Sequence, residues 1–140
     1  TRGRRQLEKQ KTTVLVIEDH EAFRDILVKI LTLNQYRVVA VELGTQGIEA
    51  AKREKPDVVI LDIMMPELNG YETCRQLRAI PGLKDVAIIM LTALSAKEVR
   101  AKAIEAGADV CLSKPCPISV LEEAIKEVLK RSAEQTIYGT

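Results

Sequence analysis

Short runs of consecutive apolar residues alternate along this chain with longer stretches in which apolar positions recur every three or four residues. The runs Val14-Leu15-Val16-Ile17, Val58-Val59-Ile60-Leu61 and Val86-Ala87-Ile88-Ile89-Met90-Leu91 are continuously apolar and rich in Val and Ile. That composition fits central parallel strands covered on both faces. Two further runs, Arg37 to Glu42 and Ala108 to Ser113, complete a set of five strands, and the mixed pattern of Arg37 to Glu42 predicts an edge position.

Between the strands the period changes to that of a helix. Phe23, Ile26, Leu27, Ile30 and Leu31 fall on one face after the first strand. Gly44 and Gly47 precede a second helix that carries Ile48 and Ala51 and stops at Pro56. Tyr71, Cys74, Leu77 and Ile80 mark a third, from about Gly70 to the break at Pro81-Gly82. Ser95 with Glu98 resembles a capping box, and the helix it opens runs to a C-terminal glycine, Gly107. Pro117 to about Arg131 makes the last helix, striped by Ile118, Leu121, Ile125, Val128 and Leu129. Strand and helix alternating in this way predict right-handed βαβ units and an α/β fold with a parallel sheet. Residues 1–11 read as a basic arm or linker without aromatics to stack on bases, 12–131 as the domain, and 132–140 as a C-terminal tail.

Composition narrows the class. At 140 residues and 46% hydrophobic content the chain is the size of one domain with a sizeable core. No apolar run approaches the roughly 20 residues of a bilayer-spanning helix, and the N-terminus lacks the apolar stretch of a signal peptide, so a cytoplasmic protein is expected. A net charge of +1 gives no general electrostatic case for nucleic acid. Cys74, Cys111 and Cys116 are spaced unlike any zinc motif and read as reduced structural thiols.

The chemistry gathers where strands end. Ile17 runs into Glu18-Asp19, Leu61 into Asp62, Leu91 into Thr92, and Ser113 into Lys114-Pro115. Open α/β sheets place their sites at the carboxyl ends of strands. Carboxylates brought together there repel unless a cation or proton shares the site. A hard cation held by few carboxylates fits Mg²⁺, with Asp19 and Asp62 binding it and Glu18 acting through water. The acidity argues against a preformed phosphate or flavin-phosphate cradle. In this reading Asp62 is the nucleophile that forms an aspartyl phosphate, Lys114 supplies a positive charge to a phosphoryl oxygen, and Thr92 a hydroxyl.

The ordered set Glu18-Asp19, Asp62 with Met65-Pro66 and Gly70 behind it, Thr92-Ala93, Gly107-Ala108-Asp109 and Lys114-Pro115 resembles a two-component response-regulator receiver domain over about residues 12 to 131. The resemblance implies a doubly wound, flavodoxin-like sheet of order 2-1-3-4-5 with helices on both faces. It implies Mg²⁺-dependent transfer from the phosphohistidine of a sensor kinase or histidine phosphotransfer protein to Asp62. The metal ligands would be Glu18, Asp19, Asp62 and the backbone carbonyl of Met64. Pro66 and Gly70 would be structural, and Lys114-Pro115 would be cis. Thr92 and the residue at position 111 would form the switch, read out on the fourth helix, fifth strand and last helix, a surface that in the family often becomes a homodimer or partner interface.

Three residues depart from the family pattern. Cys111 stands where an aromatic switch residue is common, Cys116 where phenylalanine often follows Lys-Pro, and His20 where an acid is more usual. Cys116 is expected to be a smaller core contact and His20 a solvent-facing helix-start residue. Two other classes remain open: a non-phosphorylated interaction module, and a phosphohydrolase, whose second aspartate two residues after the nucleophile is here Met64. No helix-turn-helix or cyclase pattern follows Ala133, so the output is expected in another protein or in a domain outside this chain.

Overall fold

The apolar runs become five parallel strands in one sheet, and each connection between them carries a helix. The computed structural model describes residues 11–94 and 97–138, with 132–138 described by backbone alone. The chain runs β1 (Thr13–Ile17), α1 (Glu21–Leu33), β2 (Arg37–Val41), α2 (Gly44–Glu54), β3 (Val58–Asp62), α3 (Gly70–Ala79), β4 (Ala87–Thr92), α4 (Lys97–Ala106), β5 (Val110–Ser113) and α5 (Ile118–Tyr138). The strand order is β2-β1-β3-β4-β5, so mixed β2 lies at an edge and the three continuously apolar strands fill the middle.

Strand side chains alternate between faces, and this alternation splits the core in two. Leu15, Ile17, Val59 and Leu61 pack with Ala51 of α2, Leu77 of α3 and Ala103 of α4. Val14, Val16, Val58 and Ile60 pack with Leu27 and Leu31 of α1 and Leu121 and Ile125 of α5. Burying each large aliphatic side chain is worth roughly 1.5–3 kcal/mol, so strands covered on both sides anchor the fold.

Several element details differ from expectation. Gly44 and Gly47 form the first turn of α2 rather than preceding it. A Cβ at Gly47 would run into the Ile17 side chain, so the glycine lets the helix lie close on β1. Ile26 is 53% exposed because the buried stripe of α1 narrows to Leu27 and Leu31, with Phe23 at its margin. The last helix continues past Arg131 to Tyr138, since no proline or glycine interrupts it before Gly139. Gly107, at φ 114°, ends α4 in a Schellman turn, with Ala108 N–H donating to Ala103 O at 3.0 Å and Gly107 N–H to Ile104 O at 3.0 Å. The basic arm through residue 10, and Ser95 of the expected capping box, lie outside the described residues.

Candidate functional site

Strand register brings the chemistry to one level. Ile17 pairs with Leu61, Asp62 with Leu91, and Thr92 with Ser113, so Glu18, Asp62, Thr92 and Lys114 meet at the carboxyl edge of the sheet. The crevice there lies beside β1 and β3, where the winding of the sheet reverses.

The β1–α1 loop is held from both sides. Glu18 N–H donates to Val41 O at 3.1 Å, and Arg24, one turn into α1, donates through its guanidinium to Glu18 O at 2.8 Å. His20 is the N-cap of α1. Its Nδ1 accepts from Phe23 N–H at 3.3 Å while its own N–H donates to Glu18 Oε2 at 3.2 Å, and its side chain stays exposed as expected. Glu18 is buried. Burial, reinforced by the nearby Asp62, pushes its carboxyl above the ordinary value of 4.5, against the hydrogen bond from Lys114.

Asp62 ends β3 in a buried position. Its Oδ1 accepts from Ile63 N–H at 2.7 Å, and its Oδ2 faces Lys114 Nζ at 3.2 Å. Gly70 sits directly beneath, donating its N–H to Ile63 O at 2.8 Å; an added Cβ would meet the Asp62 carbonyl oxygen and lie 2.6 Å from Ile63 Cα. Oxygens of Glu18, Asp19 and Asp62 all lie within 4.8 Å of one another. Three hard anionic oxygens at that spacing fit a divalent cation such as Mg²⁺.

Lys114 supplies the positive charge in this cluster. Its ammonium bonds Glu18 Oε1 as well as Asp62 and rests 4.3 Å from the centroid of the Phe23 ring. Its backbone N–H donates to Thr92 O at 2.7 Å, which ties the end of β5 to the end of β4. The Lys114-Pro115 bond is cis. Thr92 is buried, and its Oγ1 accepts from Leu94 N–H at 3.2 Å. Met64 and Leu94, each two residues beyond a residue of the cluster, are exposed apolar side chains.

The arrangement of fold and residues matches the response regulator receiver domain over residues 14–126. The chain belongs to the response-regulator receiver family. It is 43% identical over 122 residues to a protein of Porphyridium aerugineum named "Probable transcriptional regulator ycf27", an alignment covering 87% of this chain and 50% of that protein. Among solved structures, the CheY-like response regulator receiver domain protein of Methanospirillum hungatei JF-1 superposes with a TM-score of 0.84 at 25% identity, covering 90% of this chain and 99% of that one. The receiver domain of the sensor histidine kinase PA1611 from Pseudomonas aeruginosa PAO1, solved with magnesium coordinated in its active-site cleft, gives a TM-score of 0.80 at 28% identity over 86% of this chain and 98% of that one. The chain spans about half the length of the curated relatives it matches.

Within this receiver domain, Cys111 does not join the carboxylate cluster. It is buried in the core on the α2–α4 side, whereas Cys116 is half-buried on the other. All three cysteines are unbonded, and burial pushes the Cys74 thiol up to about 11. Pro66 lies exposed in the loop between Asp62 and Gly70. No described helix is long and apolar enough to cross a membrane. A groove of about 700 Å³, lined by Ile48, Ala51, Lys52, Ile80 and Leu83, opens at the opposite, amino-terminal end of β3 and β4 and brings no carboxylate to the chemistry. Sequence reasoning passed over Arg24 as the pin of the acidic loop and placed Phe23 only in the helix stripe. The signal available for Phe23 was its being the chain's single phenylalanine, four residues after Asp19.

Proposed function

We propose that this receiver domain accepts a phosphoryl group on Asp62 from a phosphohistidine donor and passes the change to a partner or output domain. The observation that carries the reading is Asp62 and Lys114 in contact inside a carboxylate cluster at the strand ends. A carboxylate oxygen of Asp62 attacks phosphorus, the donor's P–N bond breaks, and the electron pair leaves on the imidazole nitrogen, which takes up a proton. Asp62 is set for this by the Ile63 N–H on Oδ1. Glu18, Asp19, Asp62 and the Met64 backbone carbonyl would hold Mg²⁺, which when bound neutralises charge between the carboxylates and the incoming phosphoryl oxygens. Lys114 shifts from the carboxylates to a phosphoryl oxygen, keeping its charge in the cluster. The Thr92 hydroxyl turns toward the same oxygens, releasing Leu94 N–H and moving the β4–α4 loop.

Partners follow from the family: a sensor kinase or histidine phosphotransfer protein upstream, and an output outside this chain, which the naming of a half-matched relative suggests is transcriptional. The α4–β5–α5 surface is the proposed route of readout. Phosphoryl loss is proposed to be slow, since hydrolysis needs a water aligned in line by polar side chains and the flanking Met64 and Leu94 are apolar.

The test is intact-mass labelling with acetyl phosphate, with Mg²⁺ and with a chelator. One added phosphate on the parent, none with chelator and none on Asp62→Asn are expected. Equal labelling of Asp62→Asn would remove Asp62 from the role.

A further inference from the structure

We propose that Phe23 is a positioning residue for Lys114: its ring face holds the ammonium in the carboxylate cluster and keeps it there while its hydrogen-bond partners change. The inference rests on the role given to Lys114 above. Lysine ends in a flexible four-carbon stem, and without a fixed wall its ammonium swings into water. Here that ammonium is held on two sides. Glu18 and Asp62 bond it on one, and the Phe23 ring lies 4.3 Å from it on the other.

The neighbourhood explains why an aromatic is needed. Phe23 lies in the first turn of α1, where the helix dipole presents positive charge and disfavours a cation. A leucine would fill the margin of the core next to Leu27 equally well, but it has no negative π face to attract an ammonium. The backbone of Phe23 is held by its N–H donation to His20 Nδ1, and its ring packs at the margin of the core. A hydrogen bond to one carboxylate oxygen has to break when Lys114 turns to a phosphoryl oxygen. The ring face needs no hydrogen bond from the ammonium, so its attraction persists through that exchange as long as the ammonium stays within about 6 Å of the ring centre.

Phe23 is the chain's only phenylalanine, so feeding fluorinated phenylalanine to an auxotroph changes this residue alone in the full chain. Fluorine drains the ring face while nearly preserving its shape. Rates of acetyl phosphate labelling and affinity for beryllofluoride should fall in order from phenylalanine to 4-fluoro- to 3,4,5-trifluorophenylalanine, reaching about three- to tenfold. Phe23→Leu should match the trifluoro protein, and Phe23→Tyr should recover most of the parent rate. Mg²⁺ affinity should hold or rise, because the three carboxylates remain and lose only part of the ammonium charge that opposes the cation. By NMR, the Lys114 ε-methylene protons of the parent should show an upfield ring-current shift that Phe23→Leu abolishes.

A flat fluorine series, or Phe23→Tyr as slow as Phe23→Leu, would reduce Phe23 to packing and overturn the proposal. If Phe23→Leu fails to fold, the fluorine series still decides the question. Failure of the underlying reading looks different. The parent would take up no phosphate, or Lys114→Ala would label normally, while the ring-current shift on Lys114 would remain.

Discussion

Replacing Gly70 by alanine tests how closely the fold couples α3 to Asp62, the proposed acceptor. The new Cβ would be 2.6 Å from Ile63 Cα and nearer still to the Asp62 carbonyl oxygen, both of them backbone atoms that cannot rotate away. Reaching ordinary contact with the nearer of them requires the end of β3 to recoil by about 1.1 Å. The same recoil stretches the 2.8 Å bond from Gly70 N–H to Ile63 O past hydrogen-bonding range. Overpacking of this kind costs roughly 1–3 kcal/mol and the lost bond about 1 kcal/mol more. For a domain of this size the melting temperature should fall by roughly 6–12 °C.

The functional effect should be separable from that loss. Asp62 is carried on the displaced strand end, and a misplacement near 1 Å costs on the order of 10- to 100-fold in a positioned reaction. Labelling by acetyl phosphate, followed by intact mass at 20 °C where Gly70→Ala remains folded, should therefore slow by at least about tenfold. Gly82→Ala is the control. Gly82 has open space around it but a φ of 90°, so alanine there is strained without touching the site, and stability should drop while labelling stays at the parent rate. Parent-rate labelling of Gly70→Ala would refute the claim that this close approach positions Asp62.

Three further outcomes are expected. Burial raises the Glu18 carboxyl above 4.5, so the ion-free folded state binds this proton more tightly than the unfolded chain; the contribution of Glu18 to stability is present below about pH 4.5 and lost as pH rises through the higher folded value. Glu18→Gln should accordingly unfold at a higher urea concentration than the parent at pH 7 without metal, yet bind Mg²⁺ more weakly; a lower midpoint would refute the burial argument. Met64→Asn with Leu94→Glu should shorten the phosphoryl lifetime on Asp62 several-fold in a chase experiment, and an unchanged lifetime would show that these side chains do not limit access of water. Thr92→Ala should take up phosphate but lose the amide-exchange response of the β4–α4 loop to beryllofluoride, whereas Cys111→Ala should keep it; the reverse pattern would overturn Thr92 as the moving part.

The legible parts of the chain were those whose signal is local. Val14 to Ile17, Val58 to Leu61 and Ala87 to Leu91 announce buried parallel strands because both faces are covered, and the mixed Arg37 to Val41 announces an edge. The convergence of Glu18, Asp62, Thr92 and Lys114 at one sheet edge was legible because each follows an apolar strand run. Contacts between segments distant in sequence were not. Arg78 shows the limit: its guanidinium bonds Gly107 O at 2.7 and 3.0 Å, Lys84 O at 3.0 Å and Asp109 Oδ2 at 3.0 Å, and also reaches Val86 O. Asp109 Oδ2 in turn accepts from Ile88 N–H at 2.8 Å, so one arginine fastens the end of α3 to the entrances of β4 and β5. Nothing in a ten-residue window around Arg78 distinguishes it from a solvated helix arginine. The end of α5 failed for another reason, since no proline or glycine between Arg131 and Tyr138 marks where the helix stops.

The charge balance at the sheet edge connects these observations to signalling. Three carboxylates and one ammonium leave the cluster with two formal negative charges, which one divalent cation offsets. In the proposed reaction, converting the Asp62 carboxylate to an acyl phosphate removes one negative charge and adds about −1.5 to −2, so the balanced cluster gains about 0.5 to 1 unit of excess negative charge. Lys114 already belongs to the cluster and adds no new positive charge by turning. The group left to respond is a neutral donor within reach of the strand ends, and Thr92, buried at the end of β4, is one. In the proposed response the Thr92 side chain turns toward the phosphoryl group, which moves the oxygen that Leu94 N–H is bonded to and so draws on the loop leading into α4. Cys111 lies outside this circuit, packed in the core with no contact to the carboxylates among the described residues, so the response we propose runs through a hydroxyl and a loop rather than through a ring.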